Sequence, residues 1–163
     1  MTIQQQIVRI AEAQVGVREV GGDNRGPMVV QYQKATWLKP SAWPWCAAFT
    51  CWVLREALQI TLPNGVTKPD TWRCRDASAY GWEKWGREKK LILLPETARA
   101  LAGDFVTYDF SHIGIVVKDQ AKGGEGFLST VEGNTDDKGS REGGGVYRKQ
   151  RHWKLIRTLI RIP

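Results

Sequence analysis

The sequence predicts an α+β domain in which helices come first and an antiparallel sheet follows. Three observations predict it. Apolar residues recur at helical spacing up to about residue 89, short runs rich in Val, Ile, Phe and Tyr replace them from about residue 104, and glycine-rich turns at 123–126 and 139–145 separate those runs.

Ile3, Ile7, Ile10, Ala11 and Val15 mark an amphipathic helix over about residues 2–14, ended by Gly16. A loop through Gly21-Gly22-Asp23-Asn24 leads to Pro27, whose fixed φ and missing N–H suit the first turn of a second helix reaching about Thr36. Pro44 disfavours an earlier start for the next helix, so the apolar run Ala47 to Leu58 forms a buried helix beginning at Cys46. A further helix is expected over about Asp76 to Lys89, with Tyr80 and Trp85 as core positions. Strands are expected near 104–109, 112–118, 126–132, 145–149 and 156–162, which makes a sheet of about five or six strands. No repeat or low-complexity linker divides the chain, and its 163 residues suit one domain spanning 1–163.

Composition narrows the class. With 42% hydrophobic and 25% charged residues the chain is neither disordered nor membranous, and no apolar stretch reaches the roughly 20 residues that span a bilayer. Met1 to Ile7 lacks the basic and apolar regions of a secretion signal, so synthesis in a cytoplasm is expected. The three cysteines form no CxxC and leave an odd count; Cys46 and Cys51 sit five apart on one helix and point in different directions, so reduced thiols are expected. Asn134-Thr135-Asp136-Asp137-Lys138-Gly139 lacks the alternating spacing of a calcium loop, and Gly21-Gly22-Asp23-Asn24-Arg25-Gly26 lacks the Lys-Ser/Thr of a phosphate cradle. Neither a metal nor a cofactor is expected.

The residues that carry chemistry begin with Cys46. At the first turn of a helix, unpaired backbone N–H groups and the positive end of the macrodipole favour thiolate over thiol. Such a sulfur needs a proton acceptor, and the chain holds only two histidines. His112 opens the hydrophobic strand His112-Ile113-Gly114-Ile115-Val116, where a sheet would hold it. His152 follows the cationic Arg148-Lys149-Gln150-Arg151, which opposes protonation of its ring. His112 is the expected base. At the end of the following strand, Glu132 or Asn134 of Val131-Glu132-Gly133-Asn134 would hydrogen-bond the ring nitrogen turned away from the sulfur. Trp43 and Trp45 flank the nucleophile and are expected to line a substrate groove, whereas Trp52 reads as core. Each residue also has a plainer reading: Cys46 as a small core side chain, His112 as a satisfied core histidine, Glu132 and Asn134 as strand and turn caps.

At these residues the sequence resembles the cysteine, histidine-dependent amidohydrolase/peptidase (CHAP) family, papain-like relatives of the NlpC/P60 enzymes, and among them single-domain bacteriophage endolysins. The resemblance lies in Trp45-Cys46-Ala47-Ala48-Phe49, in Gly103-Asp104-Phe105-Val106 leading to His112-Ile113-Gly114-Ile115-Val116, and in Glu132-Gly133-Asn134. It extends to Glu19, to Gly21 through Pro27, and to Gly145-Val146-Tyr147-Arg148, nearly the whole chain. It implies a papain-like fold, Cys46 as nucleophile, His112 as base, Glu132 as orienting acid and Asn134 as a further polar residue of the site. It also implies hydrolysis of an amide in bacterial peptidoglycan, with access to the wall through holin-type release. Asp109-Phe110-Ser111 departs from the small or glycine-rich turn usual before the histidine and bears on the cleft rim.

Net charge is +7, and after Glu142 there are six Lys or Arg (Arg148, Lys149, Arg151, Lys154, Arg157, Arg161) and no acid. A basic face of this kind attracts polyanions, the wall and anionic lipopolysaccharide among them, or remains simply a solvated surface. A monomer acting on peptidoglycan, with no nucleic-acid partner, is the expectation. Two other classes keep a place beside it: an antibacterial toxin of the same chemistry, and a non-catalytic cationic protein that binds nucleic acid or lipopolysaccharide.

Overall fold

A computed structural model describes all residues 1–163, and its elements run in the expected order. Helices α1 (Ile3–Ala13), α2 (Pro27–Gln33), α3 (Cys46–Ile60), α4 (Pro69–Trp72) and α5 (Ala79–Glu88) precede strands β1 (Ile92–Leu93), β2 (Phe105–Tyr108), β3 (Ile113–Val116), β4 (Phe127–Thr135), β5 (Gly145–His152) and β6 (Ile156–Ile160). The six strands form one antiparallel sheet in the order β1-β6-β2-β3-β4-β5. The molecule is therefore an α+β fold with its helices N-terminal and its sheet C-terminal.

Local chemistry explains the boundaries. Thr2 and Gln5 form a reciprocal capping box at the start of α1, which fixes that terminus. Pro27 occupies the first turn of α2, and Ser78 caps α5 through the Gly81 N–H. Two short elements were not expected: α4, a single turn opened by Pro69, and β1, two residues paired with β6.

Alternation along the strands sorts side chains to two faces. Phe105, Ile113, Ile115, Val131, Val146 and Ile160 face the helices and pack with Ile7, Phe49, Val53 and Trp82 in the main core. Val106, Tyr108, Val116, Leu128 and Leu159 face the other way, where Trp153 and Ala100 cover them. One core position differs from expectation. Tyr80 is exposed beneath the Arg157 guanidinium, and Trp82, fully buried against Phe105 and Trp85, takes the inward place on α5.

Helix α3 runs against β3 and β4 and comes close to the strand at Gly133. A Cβ there would stand 2.8 Å from the Phe49 Cβ and 2.9 Å from the Trp45 ring, so only glycine lets the strand meet the helix one turn beyond Cys46. This contact sets the distance between the start of α3 and the strand that carries Glu132.

The C-terminal basic segment is not the uniform cationic face that was expected. Arg151, Arg157 and Arg161 turn inward to pair with the buried Glu132, Glu83 and Asp104. The Lys149 ammonium donates to the carbonyls of Asp136 and Asp137. Half of the six charges thus hold the sheet to its loops and helices.

Candidate active site

Cys46 is the first residue of α3, and no side chain caps that helix. The N–H groups of its first turn therefore remain available near the sulfur. The thiol is 8% exposed and lies in the wall of a cleft of about 270 Å³, together with Leu38, Trp43, Pro44, Ser78, Ser111 and Arg141.

His112 closes the turn after β2, where the Tyr108 N–H donates to its carbonyl and Ser111 adopts a left-handed φ of 57°. The ring is wholly buried. Its Nε2 donates to Glu132 Oε1 at 2.9 Å. Its Nδ1 is buried with no hydrogen-bond partner, and the Cys46 side chain lies near enough to the ring to act on its pKa. One nitrogen is held and the other is left for the thiol.

Glu132 lies behind the ring on the sheet face opposite α3, the alternate position to Val131 and Gly133. Four residues donate to its carboxylate: His112, Tyr108 at 3.0 Å, Thr130 at 2.6 Å, and Arg151, whose Nη2 reaches Oε1 at 2.6 Å. Arg151 Nε completes a forked pair at 3.1 and 3.0 Å. Gly114 makes room for this side chain, since a Cβ there would stand 2.6 Å from Glu132 Cγ.

The electrostatics follow from these contacts. Burial raises the carboxyl pKa, and the donated hydrogen bonds of His112 and Arg151 overcome it, so Glu132 sits at about 2. For His112 burial opposes the charged ring. The Cys46 charge and hydrogen bonding, followed by those of Glu132, outweigh it and lift the pKa to about 9. An imidazolium is thus stable at neutral pH between a sulfur and a carboxylate.

Two aromatic rings, Tyr108 and Phe110, stack beside the imidazole. Phe110 stacks on Tyr108 at 5.2 Å and on His112 at 5.7 Å, and Arg151 lies 5.2 Å from the Phe110 ring. Phe110 therefore covers the base and its acid, and it is not among the residues of the cleft wall.

The structure brings together Cys46, His112 and Glu132, and it places Trp43 on the cleft. It does not place Trp45 or Asn134 as expected. Trp45 is fully buried, stacked on Tyr32 at 5.5 Å, with its indole N–H donating to Glu19 at 2.8 Å. Pro44 separates two tryptophans that face opposite ways, and Trp45 anchors the nucleophile loop where it was expected to meet substrate. Asn134 makes no hydrogen bond to the ring or the thiol. It sits with φ 57° at a register shift of β4, and its Nδ2 donates to the Arg141 carbonyl. The bulge turns its side chain to the 136–144 loop, so it is a loop anchor.

Sequence reasoning missed Arg151, Tyr108, Thr130 and Gly114. The signal for Arg151 was its alternation with Lys149 on one strand, which the surrounding charges hid. Comparisons of the chain with protein-family models, with curated proteins and with solved structures find no match.

Proposed function

We propose that this protein is a cysteine amidohydrolase of the papain-like CHAP type that cleaves an amide in the peptide part of bacterial peptidoglycan. The observation that carries the chemistry is the sulfur at an uncapped helix start beside a histidine whose far nitrogen is fixed by a buried, ionised glutamate. The resemblance at Trp45-Cys46-Ala47-Ala48-Phe49, His112-Ile113-Gly114 and Glu132-Gly133-Asn134 supplies the substrate class.

In this mechanism His112 takes the Cys46 proton and the two stand as a thiolate–imidazolium pair before substrate arrives. Sulfur attacks the carbonyl, and the N–H of Cys46 is one donor for the oxyanion. His112 then gives its proton to the leaving amine and takes one from the water that releases the acyl group. Glu132 holds the ring orientation throughout, and Arg151 and Tyr108 keep Glu132 ionised and in place.

Digestion of purified sacculi tests the proposal. The protein is expected to release intact stem peptides, as an N-acetylmuramoyl-L-alanine amidase, or to create new N-termini within the stem or bridge, as an endopeptidase. Cys46→Ala is expected to fold and to release neither. Equal release by this variant would overturn the reading.

A further inference from the structure

The cleft that holds Cys46 has one permanent charge in its wall, Arg141. The other lining residues are apolar or hydroxyl-bearing, and no acid faces the sulfur across this space. The nearest carboxylate of the site, Glu132, lies behind His112 and is neutralised by Arg151 on the far sheet face.

The backbone of the loop that carries Arg141 is held by hydrogen bonds from the buried Asn134, Thr135 and Arg151. Asn134 Nδ2 donates to the Arg141 carbonyl, Thr135 Oγ1 donates to the Ser140 carbonyl, and Arg151 Nη1 donates to the Gly139 carbonyl. Asp136 Oδ1 accepts from the Lys138 and Ser140 N–H groups and tightens the same turn. The backbone is thus fixed while the guanidinium stays free to pair. Its one ionic neighbour is Glu142, next in sequence at 3.2 Å, with both side chains more than half exposed, and a pair so solvated contributes little.

A guanidinium carried by a fixed backbone in the wall of the nucleophile's cleft presents a fork that matches a carboxylate. We infer that Arg141 is a specificity-determining residue that pairs with a carboxylate of the substrate next to the scissile amide, so that the enzyme selects acidic over amidated stem peptides. This inference rests on the hydrolase reading above and names the substrate feature that its cleft recognises.

The test uses muropeptides that differ only in whether the stem's acidic residue carries a free carboxyl or a carboxamide. The wild-type protein is expected to favour the free acid in kcat/KM by about tenfold or more, the range of a charge-assisted hydrogen bond. Arg141→Gln is expected to lose that preference and Arg141→Lys to keep part of it. Equal cleavage of both substrates by the wild type, or an undiminished preference in Arg141→Gln, would overturn the inference. Calorimetry with Cys46→Ala separates this outcome from failure of the hydrolase reading. If the wild type cleaves neither muropeptide, that reading fails, and the inference stands only if Cys46→Ala binds the free acid more tightly and Cys46→Ala/Arg141→Gln does not.

Discussion

Replacing Cys46 by alanine is expected to change the protonation of a residue 66 positions away. The His112 pKa, about 9, is raised chiefly by the Cys46 charge and hydrogen bond, with the Glu132 contribution smaller. At pH 7.5 a ring of that pKa is protonated by about thirty to one. Without the sulfur, burial acts against Glu132 alone, and the pKa is expected to fall by at least about one unit, or ~1.4 kcal/mol. The chain has only two histidines, so a carbon-detected NMR titration from pH 5 to 10 follows both rings, with His152 as internal reference. Identical His112 curves in the wild-type and Cys46→Ala proteins would show that sulfur and ring do not interact, and the catalytic argument would fail with them.

Three further outcomes follow from the same geometry. Glu132→Gln leaves the Arg151 side chain, 9% exposed, without its anion; a loss of about 3–5 kcal/mol is expected in urea denaturation, and a loss below 1 would count against the pair. The pH profile of stability has two limbs. Glu132 has a folded pKa of about 2, below its ordinary 4.5, so its stabilisation is complete above about pH 4.5 and is lost as pH falls through about 2. His112 has a folded pKa of about 9, above its ordinary 6.5, so its part is complete below about pH 6.5 and is lost as pH rises through about 9; a urea midpoint that stays flat from pH 6.5 to 9.5 would contradict this. Gly133→Ala forces a Cβ into Phe49 and Trp45, and a cost of about 1–3 kcal/mol with reduced turnover is expected, whereas an unchanged melting curve would mean that the strand and helix do not meet there.

The sequence made the start of α3, the histidine strand and the glutamate strand legible because each depends on local patterns: a proline before an apolar run, and alternation within short strands. The rest depends on contacts that span the chain. Trp45 and Trp43 are near-neighbours with opposite fates, and only the packing of Tyr32 and Glu19 decides which one is buried. Tyr80 was expected in the core of α5, where Trp82 stands instead. Glu83 is itself inside, accepting from Thr107 and Arg157 at 2.8 Å, so a charge occupies a core position. Arg151, Arg157 and Arg161 looked like one surface patch because their three acids come from distant parts of the sequence. Local composition carries no signal for such pairs.

The last strand of the chain, β6, is an interior strand, seated between β1 and β2, while β5 supplies the arginine that neutralises Glu132. Cys46 and Arg151 lie far apart in sequence, so the surroundings of the thiol are complete only once β5 has joined the sheet. Deleting β6 would take out the strand that joins β1 to β2, so loss of residues 156–160 should disrupt the sheet far more than loss of the edge strand β1.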